Sequence, residues 1–368
     1  MRFILMIITM LFAIFGANFY VFYRLWNLLP EFPANKIILT CLGLFMTLAP
    51  FISIGIGNRL PFSMSSFMYQ VGTSWLIILI YLVIIFLLFD LVKITGLLPV
   101  KQMMFHNLTS FGILLLFIVS IMTFGNVKYN NKKRIELTLK TGKNITTDKP
   151  IKIVAISDLH LGYGIKPKEF QKWVHLINKE EPDFVLIAGD AIDNSLVPLY
   201  KRNYADVFKE IKSKHGIYMV LGNHEYISGV NESVDYLTKA GVVMLKDSVA
   251  LVDNICYIAG RDDKSNSKRK SIAELTDSLD KSKPVILIDH QPFHFSEVAE
   301  NNIDLFIAGH THGGQVFPIS LITNAIFECS YGYVKKRDTH FYVTSGIGIW
   351  GGKFRIGSCS EYVVINLF

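Results

Sequence analysis

Residues 151–160 read IKIVAISDLH: a β-rich apolar run, broken only by Lys152, that stops at Ser157 and delivers Asp158 and His160. The same design recurs along the chain. The run 184–188 ends in Gly189-Asp190 and the run 217–221 in Gly222-Asn223-His224-Glu225. The run 285–288 ends in Asp289-His290 and the run 305–308 in Gly309-His310-Thr311-His312. Short, continuous apolar runs suit strands buried on both faces. Between them lie helical patterns. Residues 167–178 carry Phe170, Trp173, Leu176 and Ile177 on one side, and Ser271-Ile272-Ala273-Glu274 has the form of a capping box. Strands alternating with helices predict an α/β architecture, and such sheets place a site where their strand C-termini converge.

The five run ends supply Asp, His and Asn and almost nothing else that titrates. Asp158 and His160 are two apart, so an extended backbone points both to one side. Asp190 and Asn223 each follow a glycine, which lets the backbone approach closely. With His290, His310 and His312 they make seven oxygen and nitrogen donors without a thiolate. That chemistry suits manganese, iron or zinc and argues against calcium. Seven donors are too many for one ion and suit two. Two-metal sites hold ions about 3.5–4 Å apart, lower the pKa of bound water, and clamp the attacking and leaving oxygens.

Other side chains have less specific settings. His224, directly after Asn223, can protonate or stabilise a leaving oxygen. Asp193 is either an orienting carboxylate or a helix-start acid, and Glu225 is a second orienting candidate. Arg355 reads as a surface arginine, with phosphate binding as its alternative. His294, four residues from His290, is the spare histidine best placed to line the site. The basic run 264–270 reads as a solvated loop.

The N-terminal third differs in kind. Residues 1–126 hold six of the 37 basic and two of the 30 acidic residues. Four apolar segments, 3–23, 37–57, 71–92 and 108–124, are long enough to span a bilayer, which takes about 20 residues. The first has no small-residue cleavage site and ends in Tyr20, Phe22, Tyr23 and Trp26, an interfacial belt rather than a signal peptide. Asp90 reads as an interfacial carboxylate. The expected organisation is a transmembrane anchor of about four helices over 1–126, a linker with an edge strand over 127–150, and a catalytic domain over 151–368. Four spans put the N-terminus and the catalytic domain on one side. Lys128, Lys132, Lys133 and Arg134 beside the last span predict that this side is cytoplasmic. The formal net charge of +7 is spread along the chain and predicts no nucleic acid partner. Cys41, Cys256, Cys329 and Cys359 show no metal-ligand spacing and read as buried thiols.

The ordered motifs D-x-H, GD, GNH[ED], a lone His after an apolar strand, and GHTH resemble the calcineurin-like metallophosphoesterase superfamily. The resemblance covers residue 151 to the C-terminus. It implies a two-sheet β-sandwich flanked by helices. It implies one metal bound by Asp158, His160, Asp190 and His312, and a second bound by Asp190, Asn223, His290 and His310. Asp190 then bridges the ions and His224 acts on the substrate. The run 310–315, HTHGGQ, with Thr344-Ser345-Gly346-Ile347-Gly348 and Arg355-Ile356-Gly357, resembles a membrane-associated bacterial branch related to UDP-diacylglucosamine pyrophosphohydrolases.

The expected function is a membrane-anchored phosphodiesterase or pyrophosphohydrolase with two divalent ions and a phosphate-ester substrate. The rival is a membrane signalling or scaffold protein with a non-catalytic phosphoesterase domain, which the complete donor set disfavours. A transporter would need intramembrane charge that these spans largely lack. The apolar segment 316–327, directly after His310 and His312, either folds into the core or meets lipid; the second outcome predicts a lipid-linked substrate.

Overall fold

The computed structural model describes residues 2–96, 98–143 and 149–368, so residues 144–148 of the expected linker lie outside the described residues. The chain forms two compact units, 1–125 and 126–368.

In the first unit, α1 (Arg2–Leu28), α2 (Pro33–Ile56) and α3 (Phe62–Thr95) are followed by the short α4 (Val100–Met103) and by α5 (Leu108–Asn130), which runs on into the second unit. The four long helices are long and apolar enough to cross a membrane. Asn18 joins three of them: its Oδ1 accepts hydrogen bonds from Thr47 Oγ1 at 3.0 Å and Trp75 Nε1 at 2.8 Å. Such a side chain needs partners where water is absent. Asp90 is paired rather than a lone carboxylate. Arg24 Nη1 lies 3.0 Å from its Oδ1, and Tyr20 donates to its Oδ2 at 2.5 Å.

The second unit contains two six-stranded mixed sheets. The first has the order β1 (Lys133–Leu139), β12 (Glu361–Leu367), β2 (Ile151–Ile156), β3 (Phe184–Ala188), β4 (Ile217–Val220) and β5 (Val242–Met244). The second has the order β10 (Gly332–Lys336), β11 (Thr339–Val343), β9 (Leu305–Ala308), β8 (Val285–Ile288), β7 (Cys256–Gly260) and β6 (Ser248–Val252). The runs that opened the sequence reading are β2, β3, β4, β8 and β9. Within each sheet they are parallel neighbours, so their C-terminal ends open at one edge. Of the segment expected as linker, residues 127–130 continue α5, and β1 follows as the sheet edge.

Burial explains why these strands are apolar throughout. Ile153 and Ala155 face a central core shared with Ile258, Ile286, Ile288 and Ile307 of the other sheet. Val154 and Ile156 face outward onto Phe170 and Trp173 of α6 (Pro167–Lys179), Phe208 of α8 (Tyr204–Lys209) and Leu237 of α10 (Val230–Lys239). Between α6 and α8 lies α7 (Val197–Lys201), and α9 (Asn223–Ser228) precedes α10. In the second sheet, Val285, Leu287 and Phe306 face outward onto Ile272 of α11 (Ile272–Thr276) and Phe295 of α12 (Phe295–Glu300). Every second residue therefore serves a different core, and only the strand ends are released for chemistry. Each buried Ile or Val contributes about 1.5–3 kcal/mol of burial energy. The Ser271 capping box that starts α11 is present.

Candidate metal centre

Two loops are first tied together by backbone bonds. Asp158 N donates to Gly189 O at 3.1 Å and His160 N to Asp190 O at 3.0 Å. Glu225 then fastens a third loop. Its carboxylate accepts from the backbone N–H groups of Asp190 at 3.0 Å, Ile192 at 2.9 Å and Gly222 at 2.7 Å. Glycines make the approach possible: a Cβ on Gly222 would lie 2.1 Å from Asp190 Oδ1, and one on Gly309 2.5 Å from Asp158 Oδ2. Asp158, His160, Asp190, His310 and His312 all hold positive φ, between 45° and 71°. Left-handed backbone in non-glycine residues costs about 1–3 kcal/mol each and gathers at functional sites.

All seven expected donors come together, in two groups. In the first, His160 Nε2 and His312 Nε2 are 3.2 Å apart, and Asp158 Oδ1 lies 3.6 Å from His312 Nε2 and 3.9 Å from His160 Nε2. In the second, His290 Nε2 lies 3.2 Å from each of Asp190 Oδ2, Asn223 Oδ1 and His310 Nδ1. Asp190 stands between the groups, its Oδ2 also 3.8 Å from His160 Nε2. The opposite nitrogen of His290 is held by Ala188 O, 2.8 Å from Nδ1. That bond fixes the ring and leaves Nε2 for the cluster.

The residues fit metal ions on their own chemistry. Three acceptor-capable atoms surround His290 Nε2, and one proton cannot satisfy them all; a cation can. Burial and the neighbouring His290 push His310 down to about 4, and burial with His160 pushes His312 well below the ordinary histidine value. Both rings therefore offer lone pairs at neutral pH. Burial disfavours charge on His290, but Asp190 and Asp158 outweigh it and raise its pKa well above the usual range. The carboxylates thus call for positive charge at this point.

The surrounding side chains correct several expectations. Asp193 does not start a helix. It is buried, with Oδ1 3.6 Å from His160 Nδ1 and 3.4 Å from His224 Nδ1. His224 N donates to Asp190 Oδ1 at 2.9 Å, which places its ring beside the cluster and edge-on to His160 at 4.6 Å. Arg355 is not on the surface. It is fully buried and donates to His312 O at 2.6 Å and Ser345 O at 2.6 Å. His294 does not join the donor groups: it stands exposed before α12, 3.6 Å from Glu297. The run 264–270 is solvated only in part, because the side chain of Arg269 is covered and lies 3.2 Å from Asp289. Of the cysteines only Cys256 is buried; Cys41 is exposed and the other two are half-buried.

Sequence reasoning missed Asp262 and Asp263, both fully buried. Asp262 accepts from Tyr226 Oη at 2.8 Å, and Asp263 from Gln291 Nε2 at 3.2 Å. The signal was available. Residues 256–260 form a sixth apolar run into Gly260, followed by Arg261-Asp262-Asp263, the same design as the other five.

Two mixed sheets with acids and imidazoles converging at their strand ends define the metallophosphoesterase class of α/β proteins. A profile of the calcineurin-like phosphoesterases matches residues 151–314. A metallophosphoesterase of Aquifex aeolicus is 34% identical over 226 residues, covering 59% of this chain and 85% of the relative. The chain belongs to the calcineurin-like metallophosphoesterases. A Campylobacter jejuni metallophosphoesterase is also 34% identical, over 60% of this chain and 59% of its own length. A Danio rerio protein named as a transmembrane protein with a metallophosphoesterase domain is 31% identical over 59% of this chain and 53% of its own. The chain thus spans about three-fifths of the length of the Campylobacter and Helicobacter relatives it matches.

Proposed function

We propose that this chain is a multi-pass membrane phosphohydrolase with two divalent ions, acting as a phosphodiesterase or pyrophosphohydrolase on a lipid-linked phosphate ester. The observation that carries the reading is Asp190, whose Oδ2 stands 3.2 Å from His290 Nε2 and 3.8 Å from His160 Nε2, between two complete donor groups. Asp158, His160, Asp190 and His312 would hold one ion, and Asp190, Asn223, His290 and His310 the other. Manganese, iron and zinc suit these donors. Bound there, the ions supply Lewis acidity and an activated water.

The chain's own residues do the rest. Ala188 O holds the His290 ring so that it presents Nε2, and the Asp193 carboxylate stands 3.6 Å behind Nδ1 of His160, whose Nε2 faces the cluster. Glu225 fixes the spacing of the Asp190 and Asn223 loops. His224, backed by Asp193, carries the proton for the leaving oxygen. Four long apolar helices support an anchor over 1–126, and a tether of that kind is what makes a lipid-linked substrate the reading we favour. The basic residues around the end of α5 favour a cytoplasmic domain, since orientation follows Lys and Arg near span ends.

Metal analysis of the purified chain, with a screen of phosphomonoesters, diesters and pyrophosphates, tests this reading. Two ions per chain and hydrolysis abolished by chelation are expected; hydrolysis indifferent to chelation overturns it.

A further inference from the structure

The segment 316–327 carries no charged residue and follows His310 and His312 directly. Within it, α13 (Ile319–Ile326) is turned inside out. A helix on a soluble domain points its apolar stripe at the core. No residue of α13 is buried. Leu321, Ile322 and Ile326 are 60%, 59% and 61% exposed, and Phe317 just before the helix is 51% exposed. Ile322 and Ile326 lie one turn apart with Leu321 beside them, so they share a face. The half-buried side carries Ile319, Ser320 and Thr323. Ser320 packs on Gly314 so closely that a Cβ there would lie 2.3 Å from the Ser320 Cα. Asn324 Oδ1 accepts a hydrogen bond from Ser330 Oγ. These contacts fix the rotation of the helix, so the outward apolar face is built in.

The face leads to the donor cluster. Phe327, at the end of α13, lies tilted 4.9 Å from the Phe293 ring and 6.2 Å from the His310 ring. Lys264 Nζ sits 4.3 Å over the Phe293 ring. Apolar wall, aromatic rings and one cation thus form a continuous rim beside the imidazoles.

We infer that α13 is an interfacial helix: Phe317, Leu321, Ile322 and Ile326 enter the headgroup–acyl boundary of the bilayer and hold the cluster at a lipid's phosphate. The bilayer is the occupant the chain itself indicates. Four of its helices are long and apolar enough to cross a membrane, and only Asn131 and Lys132 separate the last of them from β1. Interfacial helices sink about 5–10 Å, a depth these side chains suit. A second copy is a poorer occupant, because four side chains fall well short of the about 800 Å² per partner that a stable dimer buries. The docking stands independently of the chemistry; only the presentation of a lipid phosphate rests on the phosphohydrolase reading.

The test uses the full chain in nanodiscs of phosphatidylethanolamine and phosphatidylglycerol. The four cysteines are replaced by alanine, and a nitroxide is attached at Ile322→Cys or, as a control, Lys268→Cys. Power-saturation measurements compare oxygen with a water-soluble nickel chelate. At 322 oxygen is expected to dominate at least tenfold over its ratio at 268. Equal ratios at the two positions overturn the docking. So does a protected label at 322 whose spin–spin broadening disappears on dilution with unlabelled chain, the mark of a second copy. In parallel, the Leu321→Asp/Ile322→Asp double variant alters only exposed positions. Its hydrolysis of an acylated phosphodiester in the same nanodiscs is expected to fall tenfold or more, with a water-soluble aryl phosphodiester unchanged. Equal losses on both substrates, or none, overturn the presentation role. Absence of hydrolysis by the parent chain overturns the phosphohydrolase reading, while the nitroxide depth still decides the docking.

Discussion

The Asp193 carboxylate stands 3.4 Å from His224 Nδ1, and the same oxygen is 3.6 Å from His160 Nδ1. One buried acid therefore faces both a proposed metal ligand and the proposed acid. Burial works against charge on His224, but Asp190 and Asp193 outweigh it and hold the ring up at about 9. A raised value keeps the proton below that pH, and the protonated form is lost as pH rises through it. Asp193→Asn removes one source of the rise. We predict that the alkaline limb of kcat moves to lower pH in this variant and that kcat drops about 10–100-fold, the usual scale for a partner behind a ligand. A lower rate with an unmoved limb would show that Asp193 only packs.

His224 itself is predicted to matter through the leaving group. His224→Ala should keep its metal content and lose about 10²–10⁴ in kcat on substrates with poor leaving groups. With an acidic leaving group such as a nitrophenol the loss should shrink, because little protonation is needed. Equal losses across a leaving-group series would remove the acid role.

Asp190 is predicted to serve both ions. Asp190→Ala should lower the metal content of both donor groups together, whereas Asn223→Ala should affect one. Elemental analysis at limiting manganese or zinc distinguishes them, and two ions retained by the Asp190 variant would sink the bridging assignment. Chelation should abolish turnover of the parent chain and added metal should restore it.

The strand ends were legible because burial on both faces leaves β2, β3, β4, β8 and β9 no charged position before they stop, apart from Lys152 at the start of β2. What was not legible depended on the path of loops. His294 was expected near the cluster on its spacing from His290, but 289–294 has no helix to make four residues one turn, and a φ of 64° at His294 leads it out to solvent. The positive φ values at five proposed ligands have no sequence mark beyond the tolerance of Asp and His for that region. Composition alone left 316–327 equally suited to core and surface; Val316 is buried, while Ser320 on Gly314 and Asn324 on Ser330 turn the apolar residues of α13 outward.

Arg355 was the least legible residue, and it carries the last prediction. Its side chain is fully buried, and burial lowers its pKa to about 10, which still leaves it charged at neutral pH. Its two Nη groups donate to backbone, while Nε has no hydrogen-bond partner among the described residues. Nη1 bonds His312 O at 2.6 Å, and Nη2 bonds Ser345 O at 2.6 Å, Gly348 O at 2.9 Å and Gly346 O at 3.3 Å. Those carbonyls belong to the loop that carries His312 and to the loop that backs Asp158. A Cβ on Gly346 would lie 2.8 Å from Asp158 Cβ, and one on Gly348 2.4 Å from Asp158 O. Arg355 thus gathers the first donor group and has no bond to the second. Lysine keeps the charge but puts its donors on one nitrogen, which cannot reproduce the planar fork across two loops. Each buried carbonyl left without a partner costs about 1–3 kcal/mol. Arg355→Lys should therefore lower the melting temperature and weaken the ion at Asp158, His160 and His312 well before the ion at Asn223, His290 and His310. Metal titration should then show one tight and one weakened site. Two ions bound at parent affinity in a merely less stable protein would reduce Arg355 to a packing residue.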